Sequence, residues 1–257
     1  MTATLNDIVS FLDKTLSVDS IPDAPGALNG LQLENDGTVT RIAVAVDGSE
    51  KTLQAALDMG ADLLILHHGL FWQRMQPVTG IAYRKLKKAM DGNLAVYAAH
   101  LPLDVHSVYG NNALLAKACG LRPCGEGLDY HGVSLGTHGV FHGACRELAL
   151  KLEEFIGAPV QPYWTESADA PAGDVFICSG GAGDELQQAA ALGCRTYITG
   201  EGSHWNIPLA NELGMNLIFG GHYFTETCGV KALGQLIKDV YGLDWAFIDL
   251  PPSAYSR

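Results

Sequence analysis

"TLQAALDMGADLLILHHG" (residues 52–69) reads as a helix closed by Gly60, an apolar strand, and a glycine-containing turn. Two adjacent histidines, His67 and His68, stand where the strand stops. The order returns in "ELQQAAALGCRTYITGEG" (185–202) at a constant offset that sets Leu53 with Leu186, Gln54 with Gln187, Gly60 with Gly193 and Ile65 with Ile198. The strands that precede them, "AVAVDG" and "FICSGG", keep that offset. Further on, "LAVYAAHLPLD" (94–104) aligns with "NLIFGGHYFTE" (216–226), which sets His100 opposite His222 and Asp104 opposite Glu226.

Strands rich in Val, Ile, Leu and Ala without polar alternation are those of a largely parallel sheet with both faces covered. The expected fold is therefore α/β: two related α/β/α halves with mostly parallel sheets, packed around a dinuclear metal site. The halves are expected over residues 1–124 and 125–257, with the boundary in the Gly-, Pro- and Cys-bearing stretch "LRPCGEGLDYHG" (121–132). A second stretch, "YWTESADAPAGD" (163–174), reads as a polar surface loop.

The chain has 257 residues, 47% of them hydrophobic and 17% charged, enough to bury a sizeable core as one large or two smaller domains. Its formal charge of −12 repels phosphate backbones, and no Lys/Arg stripe offsets it, so duplex nucleic acid is disfavoured as a partner. Six cysteines without a C-x-x-C pair read as buried reduced thiols. "MTATLNDIVSFLDKTL" lacks the basic start of a signal peptide and reads as an amphipathic helix with a Thr/Asn start. No apolar run approaches the ~18 residues that span a bilayer. A soluble cytoplasmic protein is expected.

Ligands of open parallel sheets bind beyond the carboxyl ends of the strands. Four strands end there in possible metal ligands: His67 and His68; His100 and Asp104; Glu201, with His204 three residues on; and His222 with Glu226. A lone strand-end histidine such as His100 more often packs or hydrogen-bonds than binds metal. His106, His131, His138 and His142 have no carboxylate at ligand-like spacing and read as background. Two imidazoles ending a buried strand are different, because they would need several buried partners without metal or water. A chain leaving the strand can splay both toward one cavity.

His67, His68, His222, Asp104 and Glu226 together exceed what one four-coordinate structural zinc takes. Such a mixed set suits two divalent ions of zinc, iron, manganese, nickel or cobalt. With a carboxylate bridging, two ions ~3.5–4 Å apart would share an activated water. His100 and Glu201 are candidate acid/base or supporting groups, and His204 a weaker one.

Six motifs in this order, "NGLQLE" (29–34), "HHGLFW" (67–72), "HLPLD" (100–104), "GNNALLA" (110–116), "TGEGSH" (199–204) and "GHYFTE" (221–226), resemble the Nif-three-like dinuclear metal-centre family, whose members carry the label type-two GTP cyclohydrolase-like. The resemblance covers essentially the whole chain and is nearest to the short bacterial form without the central insert. It implies that His67, His68, Asp104, His222 and Glu226 match the family's two-metal ligands one for one. It also implies a homohexameric toroid with metal sites facing an internal cavity, here a strongly acidic ring. Many members carry His-x-Asn-Leu-Asp where this chain has "HLPLD"; Pro102 replaces the amide but leaves Asp104 in place.

The expected function is a metal-dependent hydrolase acting on a small anionic, nucleotide- or pterin-like molecule, GTP cyclohydrolase-like by family. The alternative is a non-enzymatic metal-binding scaffold, metallochaperone or regulatory adaptor, favoured by the lack of a phosphate loop, an Arg cluster or a nucleophile elbow.

Overall fold

The computed structural model describes residues 1–72, 77–125 and 127–252. By internal contacts the chain divides into two compact units, residues 1–103 with 229–257, and residues 104–228. A cut at 124–125 divides the sequence differently: the packing divides at Leu103/Asp104, and the last helix and strand belong with the beginning of the chain.

The first unit is built on a five-stranded sheet in the order Asp244–Phe247, Arg41–Asp47, Leu63–His68, Ala95–Ala98, Gly30–Leu33. Its first four strands run parallel and the last is antiparallel to its neighbour. Residues 42–46 and 63–66 are all buried, which is why these strands lack polar alternation. One face takes Leu53 and Ala56 of the helix Glu50–Asp58 and Ala89 of the helix Gly80–Asp91. On the other side, Tyr97 Oη donates to Asp13 Oδ1 (2.9 Å) of the N-terminal helix Leu5–Leu16. That helix starts as its sequence suggests, with the Thr4 hydroxyl accepting from the Asp7 amide.

The second unit has a six-stranded sheet in the order Gln161–Tyr163, Asn216–Phe219, Thr196–Thr199, Pro171–Cys178, Thr137–Ala144, Arg122–Pro123. Its three core strands, Pro171–Cys178, Thr196–Thr199 and Asn216–Phe219, are parallel. In both units a three-stranded parallel core is followed by an antiparallel edge strand that precedes that core in sequence. This shared plan is the architecture the internal repeat points to. The units differ on the other side of that core, where Asp244–Phe247 runs parallel to its neighbour and Thr137–Ala144 runs antiparallel. Helices Asn111–Cys119 and Cys145–Ile156 cover one face around Val175, Ile177, Ile198 and Ile218. Leu186, Ala189 and Ala210 cover the other around Phe176, Tyr197 and Leu217.

Two stretches differ from their sequence reading. Residues 128–135 form a hairpin, Leu128–Tyr130 with Val133–Leu135. Its two-residue loop has His131 at φ +51° and Gly132 at φ +85°, both positive as the tight primed turn demands. The stretch 163–174 is loop only in its middle, because Pro171 to Asp174 already belong to a strand. Pro171 stands at the strand start, where its missing N–H removes no ladder bond.

Leu152 is fully buried between the helix Cys145–Ile156 and the six-stranded sheet. Leu152→Ala is expected to lower unfolding stability by about 2–5 kcal/mol, read by urea denaturation, with the slope unchanged.

Candidate metal centre

In the first unit, register fixes the strand-end donors. Parallel pairing of Arg41–Asp47 with Leu63–His68 sets Asp47 alongside His68, and His68 Nδ1 lies 2.8 Å from Asp47 Oδ1. His67 is fully buried, and its Nδ1 lies 2.9 Å from the carbonyl oxygen of Ala99. A carbonyl only accepts, so His67 carries its proton on Nδ1 and presents the Nε2 lone pair. The same holds for His68 against a carboxylate. Metal-binding histidines are oriented in this way by an oxygen acceptor on the other ring nitrogen.

His100 joins this pair. One ring nitrogen from each of His67, His68 and His100 lies within 4.8 Å of the others, and the His67 and His68 ring centroids are 4.9 Å apart. Trp72 packs edge-on against His68 and His100, at 5.6 and 4.6 Å between centroids. His100 Nδ1 faces Asp23 Oδ1 at 2.7 Å, while Asn29 donates to the other Asp23 oxygen. Burial pushes the Asp23 carboxyl up, but the His100 contact, Asn29 and the Ala24 amide outweigh it and hold the group below its usual range. Asp23 is therefore an ionised, almost buried carboxylate that fixes the His100 ring.

In the second unit the carboxylates are the buried members. Asp104 is 5% exposed and Glu226 2%, and a carboxylate oxygen of each lies within 4.8 Å of the other. Asn111 Nδ2 and the Ser179 hydroxyl both donate to Asp104 Oδ1, at 2.8 and 3.1 Å. Asn112 donates to the Asp104 carbonyl and accepts from the Ser179 amide, so the start of the "GNNALLA" helix orients Asp104. Glu226 stands between the short helix His222–Thr225 and the helix Thr227–Tyr241, one turn from His222. His222 Nε2 is 3.2 Å from Glu226 Oε1, and its Nδ1 is 2.8 Å from Glu201 Oε1. Burial pushes the His222 pKa down, but the two carboxylates overcome it and raise it to about 9. Gly180, at φ +69°, lets the backbone pass where any side chain would overlap the Glu226 carboxylate.

Two adjacent, nearly dry carboxyl groups with an imidazole beside them form a donor set that a divalent cation fits chemically. Of the residues singled out from the sequence, the first unit brings His67, His68 and His100 together. The second unit brings Asp104, His222, Glu226 and Glu201 together. His204 is exposed, packs edge-on against Trp205, and joins none of these groups. Sequence reasoning missed Asp23, Asp47 and Ser179. Asp47 carried a signal, as the first carboxylate at the end of "RIAVAVD"; Asp23 in the loop "IPDAP" carried none. No helix among the described residues is long and apolar enough to cross a membrane.

The family model described as Duf34/NIF3 (NGG1p interacting factor 3) matches residues 3–253. A protein of Deinococcus radiodurans named GTP cyclohydrolase 1 type 2 homolog is 38% identical over 251 residues, covering 96% of this chain and 93% of that protein. A namesake from Archaeoglobus fulgidus is 36% identical over 249 residues, covering 96% and 98%. Among solved structures, a Thermus thermophilus protein superposes with a TM-score of 0.86 at 33% identity, covering 97% of this chain and 99% of that one. Reduced HcgD from Methanocaldococcus jannaschii gives 0.84 at 25% identity with the same coverage. With a match over nearly its whole length, and with the α/β architecture those structures share, this chain belongs to the DUF34/NIF3 family.

Proposed function

We propose that the protein is a divalent-metal-dependent hydrolase whose two ions are held by His67, His68, Asp104, His222 and Glu226. The observation that carries this reading is the gathering of metal-ligand side chains at strand ends: His67 and His68 with Nδ1 committed to an oxygen in the first unit, and the nearly dry Asp104 and Glu226 beside His222 in the second. Divalent ions in such a set supply Lewis acidity and make water a nucleophile at neutral pH by lowering its pKa to ~7.

The chain's own groups do the rest. Ala99 and Asp47 hold His67 and His68 with the proton on Nδ1, Glu201 fixes the His222 ring, and Asn111 and Ser179 aim Asp104. Glu201 is thus a positioning residue for His222. His100, fixed by Asp23, is set to take or give a proton at Nε2. Relatives named as GTP cyclohydrolase homologues support a nucleotide- or pterin-like anionic substrate. Six free cysteines support a reducing compartment, the cytoplasm. By the family resemblance we also propose a ring of six copies, which light scattering of the purified protein tests.

Elemental analysis after purification without added metal is expected to find close to two ions per chain. Glu226→Ala, and Gly180→Ala through its methyl group on that carboxylate, are each expected to lower that content. One ion or none, unchanged in Glu226→Ala, would refute the ligand set. Full metal content with no turnover on nucleotides, pterins or phosphoesters would favour the non-enzymatic metal-binding scaffold.

In the metal-free protein His222 is protonated at neutral pH, because its pKa lies near 9. Zinc binding at pH 7.5 is therefore expected to release a proton that His222→Ala does not release, and to release less above pH about 10, as calorimetry in buffers of different ionisation enthalpy would show. A raised histidine pKa stabilises the fold below the reference value of 6.5 and ceases to do so as pH rises through about 9. Metal-free stability is expected to fall across that window in the parent and not in His222→Ala.

A further inference from the structure

We propose that Cys124, His138 and Asp174 bind a single zinc-class divalent ion on one face of the six-stranded sheet, at a site that shares no residue with the set above and stands independently of the proposed hydrolase. The three side chains come from three adjacent strands or their ends. Arg122–Pro123 pairs antiparallel with Thr137–Ala144 so that Gly139 meets Pro123, and the Cys124 amide donates to the His138 carbonyl at 2.9 Å. On the other side of Thr137–Ala144, His138 lies opposite Phe176 and Val140 opposite Asp174. Alternation along the strands therefore sends Cys124, His138 and Asp174 to the same face.

A ligand atom from each of the three lies within 4.8 Å of the other two. His138 Nε2 is buried and has no hydrogen-bond partner among the described residues. Its closest charged neighbour, Asp174 Oδ1, is 3.6 Å away, with the His138 side chain only 10% exposed. That separation is too long for a hydrogen bond. It matches the roughly 3.3–3.7 Å between two donors of one tetrahedral ion with ~2.0–2.3 Å bonds. An orphaned buried nitrogen is uncommon enough in folded proteins to require a partner, and a cation between imidazole, carboxylate and thiolate supplies one.

A further feature fits. Gly125, at φ +68°, brings the backbone over the imidazole, where an added Cβ would come within 2.9 Å of His138 Nδ1. One thiolate, one imidazole and one carboxylate select zinc or cobalt over magnesium or calcium. Asp174 is half exposed, so the ion would have an entry path. Holding three strands by one ion would fasten the edge of this sheet.

Cobalt(II) titrated into the intact protein is the test, because only a thiolate ligand gives a near-ultraviolet sulfur-to-cobalt charge-transfer band, and the five residues of the proposed hydrolase centre include no cysteine. The band is expected in the parent, in the His67→Ala/Glu226→Ala double variant and in Cys228→Ser, and zinc is expected to bleach it. It is expected to vanish in Cys124→Ser. His138→Gln keeps the thiol and is expected to weaken cobalt binding by at least the roughly 10-fold that losing even a supporting partner costs a metal site. No band at saturating cobalt, a band that persists in Cys124→Ser, or an unchanged affinity in His138→Gln would each overturn the proposal. Loss of the parent's metals in the double variant with the cobalt band intact would separate this site from the other. Loss of both signals together would count against it.

Discussion

A strand buried on both faces admits a polar side chain only where that side chain finds a partner, and this is easiest at the strand's ends. Residues 63–66 are all apolar and buried, and the last two residues of that strand are His67 and His68, each with an oxygen partner. Chemistry in this protein is concentrated at carboxyl ends of parallel strands for that reason. Each buried Val, Leu or Ile in those strands contributes about 1.5–3 kcal/mol. That stabilisation offsets the cost of carrying desolvated imidazoles and carboxylates at the strand ends.

The strand ends are organised by acceptors and donors whose positions come from register. Asp47 meets His68 because Arg41–Asp47 and Leu63–His68 pair in that register; one residue of slip would send every side chain to the opposite face. Ser179 and the two asparagines do the same for Asp104. These contacts leave tautomer and carboxylate orientation no freedom before any ligand arrives. Preorganisation of this kind reduces the reorganisation that binding would otherwise require.

The two units use one plan with different chemistry at the strand ends. The first carries imidazoles, each held by an oxygen; the second carries the buried pair Asp104 and Glu226, with one imidazole between Glu226 and the exposed Glu201. His100 and His222 occupy aligned positions in the repeat, yet among the described residues the carboxylate beside His100 is Asp23, while His222 faces Glu201 and Glu226. The two units therefore carry different donors on the same core strand order.

Within the sequence itself, apolar strands, closing glycines and strand-end histidines and carboxylates are local patterns, each legible in a window of about ten residues. They were enough for the α/β class, for the internal repeat, and for naming the residues that gather in each unit. The hairpin at 128–135 and the strand beginning at Pro171 were less legible, since a turn with His131 at positive φ and an edge strand opening on proline both read locally as loop. Asp23, Ser179 and the cluster of Cys124, His138 and Asp174 were invisible, and His138 read as background. The site partners they meet, such as His100 for Asp23, Asp104 for Ser179 and Asp174 for His138, are far away along the chain, and only sheet register and loop closure set which side chains meet. Chain composition determines what is buried; strand pairing decides which polar groups face each other there.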